Sequence, residues 1–574
     1  MLAARLLGMQ IGMSDPDELE SAHIVINRRH QGLVLVLLLL AGYFIGVTIY
    51  RLYLSPLSVV PGPRLAAVTG LWILYRDYKG QRTKVITELH SVYGTAIRIG
   101  PNEVSFTSTT AVKDIYTGAG REGGFPKGYL YAMFTHYGRY NMFSSLAPEE
   151  HSWRRRMITN SYSFTNVLKK EATNGDIWRN AGQYLEYVRR EGHRCENRIG
   201  YAVDIYVPNI YYACDNITAH VFGDDLGTRT LRCGIDNPGE DVQLQRNSIN
   251  SWYGPERRHR DYLWTNFNFA LRCLKAVNEI AARISHIIQG KKDPISNYIG
   301  GTYIHHFAYT NILRLKSLKS EGLNVTHKLL IENHRSGEDN KLDDFGRASE
   351  VMDHILAGMD TTGDTLSFLL YSLALPTNHG YQDKVRDSLP KLPNFDHPLS
   401  VTTINEILNN PYMNSVIKET LLVYPAISDL LPRVVPKGGR EVDGLRLPAG
   451  TLASCSVLAV NSTLTVEFNG NVDSIKWTPE RWLVKSDADG IRVRELEKRL
   501  WSFGSGGRGC IGKHLALVEI SLLLAAILTK FKLRQDDSSP VTAAHSHWTV
   551  GKSLRDITYM NQCKGVVRFE PLTL

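Results

Sequence analysis

The chain opens with mixed polar residues and then, from Gly32 to Tyr50, reads GLVLVLLLLAGYFIGVTIY without one charged side chain. A run that is apolar on every face and just long enough to cross a bilayer predicts a membrane-spanning helix. Two rival readings exist. A cleaved signal peptide normally has a shorter apolar region, and no small-residue cleavage site follows directly here. The third reading is a fully buried core helix. Arg28, Arg29 and His30 flank one end and Arg51 the other, so charge sets no orientation. Pro61-Gly62-Pro63 then stops any helix and makes a stiff hinge. The expected organisation is a polar tail over 1–31, an anchor over 32–50, a proline-rich hinge over 51–64 and one large body over 65–574.

Inside that body the patterning is mostly helical. Helical patterns from Leu65 give way to Ala96-Ile-Arg-Ile-Gly-Pro and Glu103-Val-Ser-Phe, which read as short paired strands. His151-Ser-Trp-Arg-Arg-Arg-Met opens a basic helix, and residues 165–340 are helical with polar interruptions at 223–239 and 291–302. Leu342 to about Leu373 reads as one long helix and Leu515 to Leu528 as a long buried one. The sequence contains no internal repeat and no low-complexity tract. The fold class expected is mainly α with a small β region.

Composition narrows the picture only a little. At 574 residues, 43% apolar and 21% charged, the chain has ordinary globular composition and ample material for a large core. A net charge of +9 suits an acidic protein partner, an anionic membrane surface or nucleic acid. Zinc-binding spacing and a basic low-complexity tail are both missing, which argues against nucleic acid. The 7 cysteines (195, 214, 233, 273, 455, 510 and 563) are odd in number, scattered and free of C-x-x-C, so the body suits a reducing compartment without a disulfide framework. The glycosylation-like triplets at Asn216, Asn324 and Asn461 arise readily by chance.

One stretch carries the chemistry. In Trp501–Ile520, WSFGSGGRGCIGKHLALVEI, a glycine-dense loop delivers Cys510 to the threshold of an apolar helix. Glycines let backbone N–H groups crowd a sulfur without Cβ clashes. A nearby helix N-terminus, with Arg508, favours the thiolate over the thiol, and hydrogen bonds to the sulfur would tune a bound metal. A buried structural cysteine is the bland alternative. Against it, Phe503, Gly506, Arg508, Cys510 and Gly512 stand at the positions of FxxGxRxCxG, a loop that resembles the haem-thiolate signature of the cytochrome P450 family. The resemblance implies a P450 fold holding b-type haem (heme b), with Cys510 as axial iron ligand, Phe503 packing over the sulfur, Arg508 reaching a propionate and Gly512 completing the loop.

The long helix fits the same resemblance. Its centre is Ala357-Gly-Met-Asp-Thr-Thr362. Ala357 and Gly358 leave a flat place for a planar cofactor, and a mid-helix glycine costs about 1 kcal/mol relative to alanine. Threonine back-bonding to a carbonyl one turn earlier is the structural alternative. By the resemblance, Thr361 stabilises iron-bound dioxygen and Asp360 relays protons. His151 and Arg155 share one helix face by their i, i+4 spacing and are placed with Arg433 at the propionates, arginine's fork being suited to carboxylates. Trp153 lies out of register.

One departure stands out. The family pattern Glu-x-x-Arg would need arginine at 422, and this chain has Glu419 followed by Leu422. Arg481, in Pro479-Glu-Arg-Trp482, remains to pair with Glu419. A surviving fold with weaker haem retention, or a degenerate relative, follows from that gap. Residues 426–431, AISDLL, and a loop around Trp548–Leu554 are expected to line an apolar pocket.

Taken together, the resemblance implies a microsomal, fungal-type haem-thiolate monooxygenase of secondary metabolism. It would insert one atom of O2 into an apolar organic substrate. Electrons would come from NADPH through a separate NADPH-cytochrome P450 reductase, since no nicotinamide or flavin fingerprint is visible. The body would face the cytosol from the endoplasmic reticulum membrane. A haem-thiolate isomerase or dehydratase needing no external electrons is the other enzymatic alternative, and intact Asp360-Thr361 argues against it.

Overall fold

The computed structural model describes residues 16–78, 81–117, 124–194, 199–232, 240–252, 303–318, 324–335, 341–428, 431–469, 477–536 and 565–572. Six of its helices carry the argument: α1 (Pro16–Ile49), α2 (Pro148–Ile158), α3 (Tyr206–Phe222), α4 (Asp344–Ala374), α5 (Pro411–Val423) and α6 (Lys513–Lys530). The strands in chain order are β1 (Ala96–Gly100), β2 (Glu103–Phe106), β3 (His193–Arg194), β4 (Tyr201–Asp204), β5 (Arg433–Val434), β6 (Arg440–Val442), β7 (Leu445–Leu447), β8 (Leu452–Cys455), β9 (Phe531–Gln535) and β10 (Val566–Pro571). They form two four-stranded sheets, ordered β1-β2-β8-β5 and β3-β4-β10-β9, and a hairpin of β6 with β7. The pair predicted at 96–106 is antiparallel, with Ala96 opposite Phe106.

Helix α1 begins within the polar N-terminal stretch and runs through the apolar one. The span Gln31–Leu54 is long and apolar enough to cross a membrane, and none of it is buried against the body. That removes the buried-core reading. The hinge after it is bound to the body rather than free. Arg98 of β1 donates from Nη1 to the Arg51 carbonyl at 2.7 Å and from Nη2 to the Pro101 carbonyl at 2.8 Å, while its N–H reaches the Pro61 carbonyl at 2.7 Å. Arg51 in turn donates to the Val68 carbonyl at 2.6 Å. Gly62 is required here, because a Cβ would meet the Arg98 carbonyl oxygen at 2.5 Å.

The main core is built on α4. Asp343 caps its N-terminus, accepting from the Gly346 N–H at 2.7 Å, and pairs with Arg139 at 2.8 Å. The helix ends before Pro376, where a proline ring would clash with the preceding turn. Helix α3 runs antiparallel along it, with Ile217 set against Gly358 and Ile210 against Gly363. Helix α6 follows Gly512 and buries Ile520 through Leu528 in the same core. Asn216 and Asn461 are buried, the first in α3 and the second in the helix Val457–Asn469, where no glycan could reach them.

Candidate active site

The loop before α6 is held by its own backbone. The carbonyls of Trp501, Gly506 and Phe503 accept from the N–H groups of Gly504, Gly509 and Cys510, the last at 2.8 Å. Gly504 and Gly506 have φ of +65° and +67°, in the left-handed region. A Cβ on Gly506 would also lie 2.7 Å from the Tyr116 carbonyl oxygen. Two amide donors, from Gly512 and Lys513 at the start of α6, together with the charges of Arg155 and Lys513, favour the Cys510 thiolate. Burial outweighs them and raises the thiol above its ordinary value. The cations that favour S⁻ are therefore Arg155 and Lys513, not the Arg508 expected from sequence. A free thiol at neutral pH becomes a thiolate here once a metal cation binds it. Cys510 is exposed all the same, so its sulfur is open to a ligand. Phe503 is half-buried, with the Lys513 ammonium 5.6 Å from its ring centre. Gly512 leaves Cys510 Sγ 4.0 Å from where a Cβ would stand.

A second opening interrupts α4. The helix is buried from Gly346 to Ile355 and again from Thr362 to Ser367, but Ala357 is exposed and Leu356, Gly358, Asp360 and Thr361 are half-buried. The Thr361 hydroxyl donates to the Ala357 carbonyl at 2.8 Å, a back-bond one turn toward the N-terminus. Its oxygen lone pairs remain able to accept. The negative charge of Asp360 helps raise Asp364, one turn on, whose carboxyl burial pushes up to about 8. The space that Gly358 leaves is taken by Ile217, since a Cβ there would lie 2.6 Å from Ile217 Cγ1. Gly358 thus lets α3 approach, whereas Ala357 is the small residue facing open space.

The third feature is a group of cations. His151 is buried and pushed down to about 3 by burial and by Lys127, Arg508, Arg155 and Arg433 around it. Arg155 donates to the Gly509 carbonyl at 2.8 Å and Arg508 to the Leu146 carbonyl at 3.2 Å. Lys127 donates to the Phe143 carbonyl. The Arg433 guanidinium lies over the rings of Tyr116 and Tyr131, at 5.2 and 5.6 Å. Burial, then Arg433 and Arg508, hold the Lys127 ammonium well below its ordinary value, with Asp353 acting the other way. Arg433 Nε and Arg508 Nη1 are buried without a hydrogen-bond partner among the described residues. Such a cluster is costly unless an anion joins it. Residues 151, 155, 433 and 508, singled out from sequence, come together here. Lys127 and Asp353 were missed, for Phe125-Pro-Lys-Gly128 reads like any surface turn.

Glu419 lies beside α5's neighbour, the turn Pro479–Trp482. Its carboxylate accepts from Arg481 Nε at 2.7 Å, Trp482 Nε1 at 2.9 Å and the Thr478 N–H at 2.6 Å. Leu422 is buried with Trp482 and Leu496, with Leu500 against them. The missing arginine is thus replaced by apolar packing and indole donation. Of the expected pocket segment, Asp429 and Leu430 lie outside the described residues, as does the loop at 548–554. Leu431 is half-buried, and its carbonyl accepts from Tyr116 Oη at 2.7 Å.

Comparison with known proteins places these features in company. The family model for cytochrome P450 matches residues 60–556. The chain is similar to "Cytochrome P450 monooxygenase gsfF" of Penicillium aethiopicum, at 27% identity over 88% of this chain and 94% of that protein. It is similar to "Cytochrome P450 monooxygenase tazI" of Aspergillus terreus, at 25% identity over 93% and 97%. Pisatin demethylase of Fusarium vanettenii matches at 26% identity over 84% and 87%.

Proposed function

The chain belongs to the cytochrome P450 family and is a monooxygenase, and from that premise we propose that it oxidises an apolar organic substrate of fungal secondary metabolism at the endoplasmic reticulum membrane. The observation that carries the reading is the buried cation cluster beside the Cys510 loop. Lys127, Arg155, Arg433 and Arg508 would hold the carboxylates of a flat cofactor, and Cys510 would supply the soft anionic ligand to its iron. The unpartnered Arg433 Nε and Arg508 Nη1 are the donors left for such carboxylates.

Bound haem supplies the reductive activation of O2, by which one oxygen atom enters the substrate and the other leaves as water. The chain's own residues do the rest. Gly512 and Lys513 amides hold the sulfur's charge at the start of α6. The small, exposed Ala357 would leave room for a flat cofactor beside α4. Thr361 Oγ1 donates its own proton in a hydrogen bond to the Ala357 carbonyl, keeps lone pairs free to accept, and can turn to donate elsewhere. Asp360 carries protons inward from solvent, in one-turn reach of the raised Asp364 carboxyl. Electrons come from NADPH through a separate reductase. Exposed Lys513 and His514 beside the ligand loop give an acidic partner surface a place to settle. The helix Gln31–Leu54 anchors the body.

The test is the reduced, carbon-monoxide difference spectrum of membranes containing the chain. The expected result is a strongly red-shifted Soret band of thiolate-ligated haem, lost in Cys510→Ser together with reductase-dependent turnover. A wild-type protein without that band, or a Cys510→Ser protein with normal turnover, would sink the reading.

A further inference from the structure

Tyr162, His220 and His354 form a buried aromatic cluster that none of the roles above uses. Tyr162 ends the short turn Thr159–Tyr162 after α2, His220 lies on α3, and His354 lies on α4 just before the exposed Ala357. The Tyr162 ring stacks on His354 with centroids 5.3 Å apart at 25°, and meets His220 at 4.7 Å. All three side chains are at most 5% exposed. Yet Tyr162 Oη, His220 Nε2 and His354 Nε2 have no hydrogen-bond partner among the described residues. Leaving a polar atom buried and unpaired is costly, and apolar residues would fill the same space without that cost. Such groups call for a specific reason, among which a redox role or bridging water are the usual ones.

The surroundings favour redox chemistry. Burial raises the Tyr162 phenol well above its ordinary value, and the charges of Asp353, Cys510 and Glu519 add to that, so the ring lies within electrostatic reach of the ligand loop. Burial holds His354 down at about 4, with Arg155 adding to the effect, and burial, then Lys170, holds His220 well below its ordinary value. A phenol that cannot ionise, packed on a neutral imidazole, gives up an electron only together with its proton.

We propose that Tyr162 is a redox-active tyrosine, giving one electron to the haem centre and its phenolic proton to Nε2 of His354, through a buried water where the two atoms do not touch. The proposal rests on the haem-thiolate reading. The oxidant is the ferric haem centre after reaction with a peroxide. The Tyr162 O–H bond breaks, one electron passes to that centre, and an N–H bond forms on His354, leaving a neutral phenoxyl radical and an imidazolium. One electron from the reductase or an added ascorbate, with return of the proton, restores the pair. The consequence is a discharge route for oxidising equivalents when no substrate consumes them.

The experiment uses the full-length haem-loaded protein, with the carbon-monoxide spectrum recorded first. Ferric protein is mixed with peracetic acid, freeze-quenched and examined by electron paramagnetic resonance, while haem bleaching is followed in parallel. The expected result is a tyrosyl signal in wild type, lost in Tyr162→Phe at unchanged thiolate Soret intensity, with several-fold faster bleaching. His354→Phe should keep Tyr162 but slow the appearance of the radical several-fold. An undiminished signal and unchanged bleaching in Tyr162→Phe would overturn the proposal while leaving the haem-thiolate reading intact. A wild-type protein without the thiolate band would overturn both.

Discussion

Lys127 is the clearest case of a side chain whose meaning depends on its neighbours. Buried among Arg433, Arg508 and Arg155, its ammonium is destabilised unless an anion joins the group. A hydrogen bond to a charged group is worth about 1.5–3 kcal/mol. Lys127→Met should therefore speed haem loss to apomyoglobin by about ten- to a hundredfold. The same change should raise the unfolding midpoint of the haem-free protein, because it removes a like charge from the cluster. That opposition of sign is the test: lower stability of the haem-free variant would mean that Lys127 acts mainly by packing on Tyr131 and Phe143. The individual motif residues were legible in the sequence because a fixed spacing along one loop or one helix turn is itself local. Lys127 was not, since it joins the site from a separate segment, and Asp353, one turn before Ala357 on α4, meets that cluster only in the folded chain.

Between helices, two contacts make sharp predictions. Gly358 and Gly363 let α3 lie close along α4, and a side chain at 358 would strike Ile217. Gly358→Val should cost about 1–3 kcal/mol in urea unfolding, as overpacking does, and Ile217→Ala in the same chain should recover much of it. Full stability of the single variant would disprove the contact. On α5, Leu422 is packed with Trp482 and Leu496, and the Glu419 carboxylate is already met by Arg481, Trp482 and the Thr478 amide. An arginine forced into that apolar cluster has no counter-charge of its own. Leu422→Arg should destabilise the fold by about 3 kcal/mol, measured by denaturant midpoint, with lower haem content. Equal stability and higher haem content would show instead that the familiar arginine is still welcome. From sequence, the missing arginine implied a surviving fold with weaker haem retention, or a degenerate relative; the packed helix–turn pair shows how its place was refilled.

For the chain as a whole, buried titratable groups set the pH response. Burial raises the carboxyls of Asp353 and Asp364 from 3.8 to about 8, so the folded chain holds protons that the unfolded chain has released. Their contribution is full below the unfolded value and is lost as pH rises through about 8. Burial lowers His90 and His354 from 6.5 to about 4 and His151 to about 3. Their contribution is full above 6.5 and is lost as pH falls through those values. The two sets oppose each other below pH 6.5; between 6.5 and 8 Asp353, Asp364 and the similarly raised Glu171 lower stability as pH rises, and the depressed Lys127 acts the other way, so the three carboxyls outweigh it. The haem-free protein should lose stability on going from pH 6.5 to 8, by up to about 1.4 kcal/mol per pH unit for each carboxyl. Asp364→Asn should flatten the slope in denaturant titrations across that window. A slope of the opposite sign would show that these carboxyls are ionised in the folded state.

By itself the sequence determined the apolar span before the body, the mainly helical class, the long helix around Ala357–Thr362 and the glycine loop that presents Cys510. Each of these depends on residues close together in the chain: periodicity, helix stops and fixed offsets record local backbone geometry directly. The tertiary structure decided which cations surround His151, which ones reach Cys510, that Gly358 serves α3, and that Leu422 is at home among Trp482 and Leu496. Those outcomes are mostly contacts between segments tens to hundreds of residues apart, and no local pattern encodes which distant side chain will fill a space or meet a charge.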